Sequence, residues 1–520
     1  MNAIITKLRK LGVELNLVDN KLRASAPNGV LTSELLEEIK QHKASLISYI
    51  SSVTAKADVI SLQPAPLQEC YSLSSAARRM YFLYELDKCS LRYNMLQVIK
   101  LKGQPDKDRI AGTFNQLLQR HEALRTYFEL AEGVPVQRIA SDLSLDITLC
   151  EGIEDFRKPF DLAVPPLVRV GLVNLPGDEN LLMVDMHHII TDGVSQEILI
   201  KDFIRLYAGE TLPPLKLHYK DYSEWQQRRM ASPEMKGHGE FWMSVFKRGV
   251  PVLELPADFA RTPQQADEGG VCSFALDHAS TARLRQLAAD NGATMFMVML
   301  AVYNILLGRL GNQEDVVTGT PVTGRTHPDL EHIIGMFVNM LPVRNYPLGA
   351  LTFEAFLADV KQNVLSCLEH EEYQYEQLTD DLKIDRSLQR NPLFDTVFTY
   401  ENDDVAVLEI PGLKLSAYDT GHTIAKFDLT LSVKEMTDHL RLNVEYNARL
   451  FRQSTIKEFI GCFREIINTV IACPSIRLAD IPLLSAEAGS SLLLSLDHSQ
   501  VGYPSEATVH RLFERQATLH

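Results

Sequence analysis

The chain has 520 residues, 45% of them hydrophobic and 23% charged, with a net charge of −15. These are globular values, and the length asks for about three domains rather than one core. The acidic balance excludes general nucleic-acid binding, which needs a basic surface, and no apolar run approaches the ~18 residues that span a bilayer.

Residues 1–55 read as a small separate domain. Ile4, Ile5, Leu8 and Leu11 form one apolar helix face, stopped at Gly12. Val13, Leu15 and Leu17 alternate with polar residues as in a half-buried strand. Asp19-Asn20 then turns the chain into a second strand, Lys21 to Ala26. Pro27-Asn28-Gly29 breaks that strand. Thr32 or Ser33 can cap a helix with Leu35, Ile39, Leu46 and Ile50 on its buried stripe. A linker over 56–66 ends in Gln63-Pro64-Ala65-Pro66. Mixed strand and helix patterns fill 67–248 and 249–490, and the polar stretch Pro251 to Thr262, at the start of the second, reads as the crossing from one to the other. The tail, 491–520, holds Tyr503-Pro504 and then Val509 to Ala517.

The densest chemistry lies at His187-His188-Ile189-Ile190-Thr191-Asp192-Gly193. Leu181 to Val184 reads as a buried strand, Asp192-Gly193 as a turn, and Val194, Ile198, Leu199, Phe203 and Leu206 as a helix face. The histidines therefore stand at a strand end, where side chains can face a crevice. An imidazole beside a carboxylate suits proton handling in acyl transfer.

Other segments accompany this stretch in a fixed order: Leu73 to Met80, Arg120 to Phe128, Tyr219 to Trp225, Ile334 to Leu341 and Arg390 to Phe394. Together with HHxxxDG they resemble the condensation domains of nonribosomal peptide synthetases over about residues 66–490. Two positions depart from the family pattern: Ala77 stands where glutamine is usual, and Met340 where threonine is usual. The double histidine separates the chain from heterocyclisation domains. Met186 to Ser195 and Gly335 to Leu341 look most like domains that join two L-configured partners. Residues 1–55 resemble the N-terminal docking domains of synthetase subunits, of the TubC type, and 503–517 resemble the opening of an adenylation domain.

The resemblance implies an α+β fold: two chloramphenicol-acetyltransferase-like lobes in a V-shaped pseudodimer, over 67–248 and 249–490, preceded by a small α/β docking domain. It implies amide formation between an upstream carrier-bound acyl or peptidyl thioester and a downstream carrier-bound aminoacyl thioester. Both are presented on the 4′-phosphopantetheine of separate carrier proteins, with no cofactor attached to this chain. His188 would face the attacking amine, as a base or as a hydrogen-bonding positioner, while His187 supports the turn. Asp192 would anchor the loop through Arg325. Gly193 would permit a special backbone angle or close substrate approach, and its amide is a candidate oxyanion donor. Arg120 and Arg125 read as structural partners, Trp225 as core, and Asn339 and Ser195 as tunnel-lining residues. Lys21 and Arg23, on the second docking strand, would meet an acidic C-terminal tail of the upstream subunit. A downstream adenylation domain completes the expected partners, with no nucleic acid and no membrane.

Rival chemistries fit less well. His187 and Asp192 also form HxxxxD, as in glycerolipid acyltransferases, but membrane-binding segments are missing. Gly269-Gly270-Val271-Cys272-Ser273 carries one residue too many to match the carrier-protein GGxS motif. No metal-ligand cluster or Gly-rich phosphate loop stands out. The N-terminus has no signal-peptide pattern. Seven scattered cysteines without a CxxC pair point to a reduced, cytoplasmic protein. The remaining alternatives are an acyltransferase that uses a small amine, an alcohol or a coenzyme A thioester, and a non-catalytic platform that recruits carriers.

Overall fold

The computed structural model describes residues 14–18, 21–25, 61–261, 268–384, 390–402, 408–410, 412–418, 424–485, 489–490 and 508–518. In the N-terminal part, β1 (Glu14–Val18) pairs antiparallel with β2 (Lys21–Ser25) as a hairpin. The helices expected around it, and the side chains of Lys21 and Arg23, lie outside the described residues.

The first lobe contains β3 (Tyr71–Ser72), α1 (Ser75–Leu86), β4 (Asn94–Lys102), α2 (Lys107–Arg120), β5 (Thr126–Ala131), β6 (Val134–Ile139), β7 (Ile147–Leu149), β8 (Val168–Asn174), β9 (Glu179–His187), α3 (Gly193–Tyr207) and α4 (Tyr219–Met230). Then come α5 (Met235–Val245), β10 (Gly269–Leu276), α6 (His278–Asp290), α7 (Met295–Leu310), β11 (Val316–Val322), β12 (Asn339–Asn345), α8 (Phe353–Glu369), α9 (Tyr375–Asp381), β13 (Thr396–Asn402), β14 (Leu408–Ile410), β15 (Leu413–Ala417), β16 (Leu429–Glu435), β17 (Leu440–Asn447), α10 (Gln453–Ala472) and α11 (Val509–Ala517).

Two six-stranded sheets organise the lobes. One runs β14-β15-β4-β9-β8-β7 and the other β10-β17-β16-β13-β11-β12. Strand β9 is central in the first. Its Leu181, Leu182, Met183 and Val184 are all buried, because neighbouring strands flank it and both of its faces are covered, which a continuous apolar run requires. Helix α7 is apolar on every side and is the middle of the second core, capped by Thr294. Among the described residues no single helix is long and apolar enough to cross a membrane.

The expected cut at 248/249 does not separate the two cores. Helix α5 lies before the cut, yet its Met235 and Trp242 pack in the second core. Conversely Ile333, Ile334, Phe337, Leu413 and Leu415 pack in the first. The cause of the second exchange is visible in β15: Leu413 and Leu415 alternate with exposed residues, so the strand needs a half-covered sheet. Pairing with β4, Leu415 opposite Leu101, provides one and also closes an edge. Ion pairs join the lobes as well. Arg79 on α1 meets Glu376 on α9 at 3.0 Å, and Arg229 on α4 meets Glu372 at 2.9 Å.

Candidate active site

Strand β9 delivers the two histidines, and a single 3₁₀ turn, His188–Ile190, sends them in different directions. His187 is the last strand residue, opposite Asn94 of β4. Its amide donates to Leu167 O at 3.1 Å, and its Nδ1 accepts from Ile189 N–H at 3.1 Å. The ring is buried, edge-on to Phe160 with centroids 6.1 Å apart. His187 thus caps the turn that carries its neighbour.

His188 is anchored at two points. Its amide donates to Tyr93 O at 2.7 Å, and its Nδ1 lies 2.7 Å from Thr191 O. A carbonyl oxygen only accepts, so Nδ1 carries the hydrogen and the neutral ring keeps a lone pair on Nε2. Burial, and then the Lys426 charge, push both imidazoles down to about 3. For His188 the Thr191 hydrogen bond opposes that shift without reversing it. Both rings are therefore neutral at physiological pH.

Asp192 is fully buried, and its two carboxylate oxygens accept three hydrogen bonds. Oδ1 accepts from Ser195 N–H at 2.7 Å, capping α3, and from Arg325 Nη2 at 3.1 Å; Oδ2 accepts from Phe337 N–H at 3.0 Å. Its main-chain carbonyl separately accepts from Gln196 N–H at 3.0 Å and from the Thr191 hydroxyl at 3.4 Å. The expected Asp-Gly turn is instead a helix start, because the carboxylate satisfies an N–H that a new helix leaves free. Arg325 also donates to Ser195 Oγ at 2.8 Å and to Ile333 O at 3.2 Å, and lies 3.9 Å over the Phe337 ring. Burial lowers the Arg325 pKa and Asp192 opposes the shift.

This strut gathers residues from four sequence motifs. Tyr219 O–H donates to Met336 O at 2.5 Å, so the 2.6 Å contact with Ser74 is donated by the serine hydroxyl. Ser74 in turn caps α1 by accepting from Ala77 N–H. Gly335 must be a glycine, because a Cβ there would lie 2.0 Å from the Tyr219 ring. Gly324, one residue before Arg325, has φ +64 and faces Phe337 O, which a Cβ would meet at 2.0 Å.

Other expected site residues fall differently. Gly193 has no positive φ and is the first residue of α3. The special backbone angle is therefore not needed; a Cβ at 193 would meet nothing within 4 Å, so open space lies beside the turn. Ser195 does not line a tunnel. It is buried, and its hydroxyl donates to Gly335 O and accepts from Gly335 N–H and Arg325. Asn339 is buried too. Its Nδ2 donates to Glu371 O and Tyr373 O, and its Oδ1 accepts from Met340 and Tyr375 N–H groups, which leaves it a loop anchor. Arg120 pairs with Asp202 at 2.9 Å, shared with His121, and Arg125 donates to Leu118 O and Ala140 O. Trp225 and Ala77 are buried in the first core, and Met340 packs partly buried on the second. Ser273 lies within β10, bonded to Asn443.

Lys426, Glu445, Arg92 and Asp185 were not legible as site residues. Lys426 stands 238 positions after His188, in a stretch without periodicity or motif, and only the meeting of the lobes brings it near. Asp185 is fully buried, takes a 2.7 Å hydrogen bond from Asn94 Nδ2, and is pushed up to about 6 by burial. Among the described residues no group of three metal-ligating side chains occurs.

Two six-stranded sheets, one with a buried histidine turn at the end of a central strand, form a mixed α+β fold. The condensation-domain family model matches residues 67–493, and the chain belongs to that family. The TubC N-terminal docking-domain model matches residues 2–51. Tyrocidine synthase 3 of Brevibacillus parabrevis is 41% identical over 480 residues, 91% of this chain and 7% of that protein. Surfactin synthase subunit 1 of Bacillus subtilis (strain 168) is 37% identical over 520 residues, 98% of this chain and 14% of that protein. The chain thus spans a small part of these relatives. Among solved structures, the X-domain of teicoplanin biosynthesis, in complex with OxyB, aligns with a TM-score of 0.75 at 25% identity, covering 82% of this chain and 99% of that one. The first condensation domain of the calcium-dependent antibiotic synthetase, bound to a substrate analogue, shares the fold with a TM-score of 0.65 at 19% identity, covering 80% and 99%.

Proposed function

We propose that this chain forms an amide bond between two carrier-bound thioesters. The upstream carrier holds an acyl or peptidyl group, and the downstream carrier holds an aminoacyl group whose amine attacks. The C–N bond forms, the C–S bond breaks, and the amine proton ends on the departing thiol. Each chain arrives on the phosphopantetheine of its own carrier protein, and the lengthened product stays on the downstream carrier.

The observation that carries this is the His188 imidazole, with Nδ1–H held by Thr191 O and Nε2 left as an acceptor. A ring held near 3 is a poor acceptor for a full proton from an ammonium, whose usual pKa is ~7.7–8.0. His188 therefore acts by accepting a hydrogen bond from the neutral amine and aiming its lone pair at the thioester carbon. The oxyanion is assigned to Gly193 N–H, which begins α3 beside open space. Asp192 and Arg325 hold this geometry without touching the reacting atoms.

The upstream subunit is recruited by β2, to which an acidic C-terminal tail adds as a strand, steered by Lys21 and Arg23. An adenylation domain follows downstream. A cytoplasmic setting accords with seven free cysteines. The test is intact-mass detection of transfer between two loaded carriers, with wild type and His188→Ala side by side. Transfer by wild type alone supports the proposal; no transfer, with both carriers bound and a panel of substrates tried, sinks it.

A further inference from the structure

Asp185 is fully buried on β9, two residues before His187 and on the same face of the strand. Its Oδ2 accepts from Asn94 Nδ2 at 2.7 Å. Among the described residues neither Asp185 Oδ1 nor Asn94 Oδ1 has a hydrogen-bond partner, though both atoms are buried. Buried polar atoms without partners are rare and need a reason. When Asp185 is ionised both oxygens only accept, so no hydrogen bond can join them. One proton on Asp185 Oδ1 makes that atom a donor and satisfies both at once. The two side chains then close a ring of two hydrogen bonds: Asn94 Nδ2–H to Asp185 Oδ2, and Asp185 Oδ1–H to Asn94 Oδ1.

The surroundings favour the acid over the carboxylate. The charged groups that face Asp185 are Arg169, opposite it on β8, and Arg157, from the segment after β7. Neither forms an ion pair with it among the described residues. Arg157 lies 3.7 Å from Glu154, and Arg169 Nη2 donates to Lys158 O at 2.7 Å and Pro159 O at 3.0 Å. Burial pushes Asp185 up to about 6, against Arg169, the Asn94 hydrogen bond and Arg157, which pull it down. A bond that the acid itself donates exists only in the protonated form, and so acts upward.

Asn94 connects this pair to the site. It stands opposite His187 in the ladder, and its Nδ2 also donates to Lys158 O at 3.0 Å. The same carbonyl holds Arg169, whose guanidinium lies 3.6 Å over the Phe160 ring, and Phe160 meets the His187 ring edge-on. We propose that Asp185 is a neutral carboxylic acid paired with Asn94, and that this pair is a positioning element that sets the 157–160 segment against His187 and so fixes the histidine turn. The protonation is independent of the reaction; its effect on transfer rests on the amide-forming function proposed above.

Asp185→Asn tests the pair, because an amide supplies the same donor and acceptor at every pH. Infrared difference spectra of wild type minus Asp185→Asn at pH 5 should show one protonated-carboxyl band that fades as pH rises through 6 and beyond. No such band, as for a carboxylate satisfied by a bound water, overturns the acid. Stability has a definite sign. A raised carboxyl adds stability that is full below its unfolded value and lost as pH rises through the folded one. The wild-type denaturant midpoint should therefore fall relative to that of Asp185→Asn between pH 5 and pH 8; a constant difference overturns the acid.

In carrier-to-carrier transfer, Asp185→Asn should keep kcat within about twofold, while Asp185→Leu, which can make neither bond, should lower kcat about tenfold or more at unchanged KM for the carriers. Should Asp185→Leu not fold, Asn94→Ala, at a half-buried position, carries the same expectation. A tenfold loss in Asp185→Asn, or none in the variants that break the pair, overturns the positioning role. If wild type transfers nothing, the amide-forming function fails, and the nitrogen NMR signals of the two histidine rings decide the positioning. Signals that shift in Asp185→Leu or Asn94→Ala and stay in place in Asp185→Asn uphold it; signals unmoved in all three overturn it.

Discussion

Arg325 and Asp192 meet at 3.1 Å across 133 residues of chain, and neither side chain is more than 5% exposed. The pair ties the start of α3 to the segment carrying Ile333 and Phe337, and so fixes the loop on which His188 stands. Removing one partner leaves the other charge buried without its counterion. Arg325→Ala should cost about 3–5 kcal/mol of stability. Arg325→Ala with Asp192→Ala should cost less than the sum of the single changes. Denaturant midpoints of the four proteins check this, and strict additivity would show that the pair is not coupled.

His188→Ala should slow transfer by about 10²-fold or more, the lower range for losing a positioned acid–base group. The pH dependence separates its two possible roles. With its folded pKa near 3, His188 stays neutral throughout pH 5–8. The rate should therefore fall with acid as the acceptor amine protonates, around ~7.7–8.0, and not at a histidine pKa. Single-turnover rates against pH, with two acceptors of different amine pKa, make the check. An inflection that follows the acceptor supports positioning, whereas one fixed near 6 to 7 for both acceptors contradicts it.

The same two histidines make the fold sensitive to acid. Their folded pKa values, about 3, lie below the ordinary 6.5, so the unfolded chain binds more protons between these limits. Their neutral burial is free of penalty above 6.5, and stability is lost progressively as pH falls from 6.5 toward 3. By pH 5 the loss is about 2 kcal/mol for each histidine. Asp185, raised to about 6, works in the opposite direction, so the histidine share is read by comparison with a variant. His187→Gln should flatten the drop in denaturant midpoint between pH 7 and pH 5. An equal drop in both proteins would show that His187 does not titrate on unfolding in this range.

Local features were legible because they are written in adjacent residues. The apolar run before His187 becomes β9, and the spacing of Ile198, Leu199 and Phe203 becomes the buried face of α3. Arg325 has no signal in its own segment beyond the family resemblance, and the structure puts its guanidinium 3.1 Å from Asp192. What the sequence hid was set by contacts distant in the chain. Leu413 and Leu415 read as second-half residues, yet their alternating pattern is satisfied on the first lobe's β4. Asn339 looks like a tunnel residue until the backbone of 371–375 folds over it and takes all its bonding groups. Lys426 acquires meaning only when the lobes meet and its charge falls beside two neutral histidines.

The docking proposal makes an ionic-strength prediction. Strand addition to β2 would supply main-chain hydrogen bonds, which salt scarcely affects, while Lys21 and Arg23 would supply attraction that salt screens. Binding of a peptide that copies an acidic C-terminal tail should therefore weaken as salt rises from 0.05 to 0.5 M, chiefly through a slower on-rate. Lys21→Glu with Arg23→Glu should weaken it by about tenfold or more at low salt and flatten the salt dependence, because the steering charge is then reversed. Substituting alanine for both should give an intermediate loss. Surface plasmon resonance at several salt concentrations measures both rates. Equal affinity of wild type and the double-glutamate variant at low salt would place the tail elsewhere on the chain.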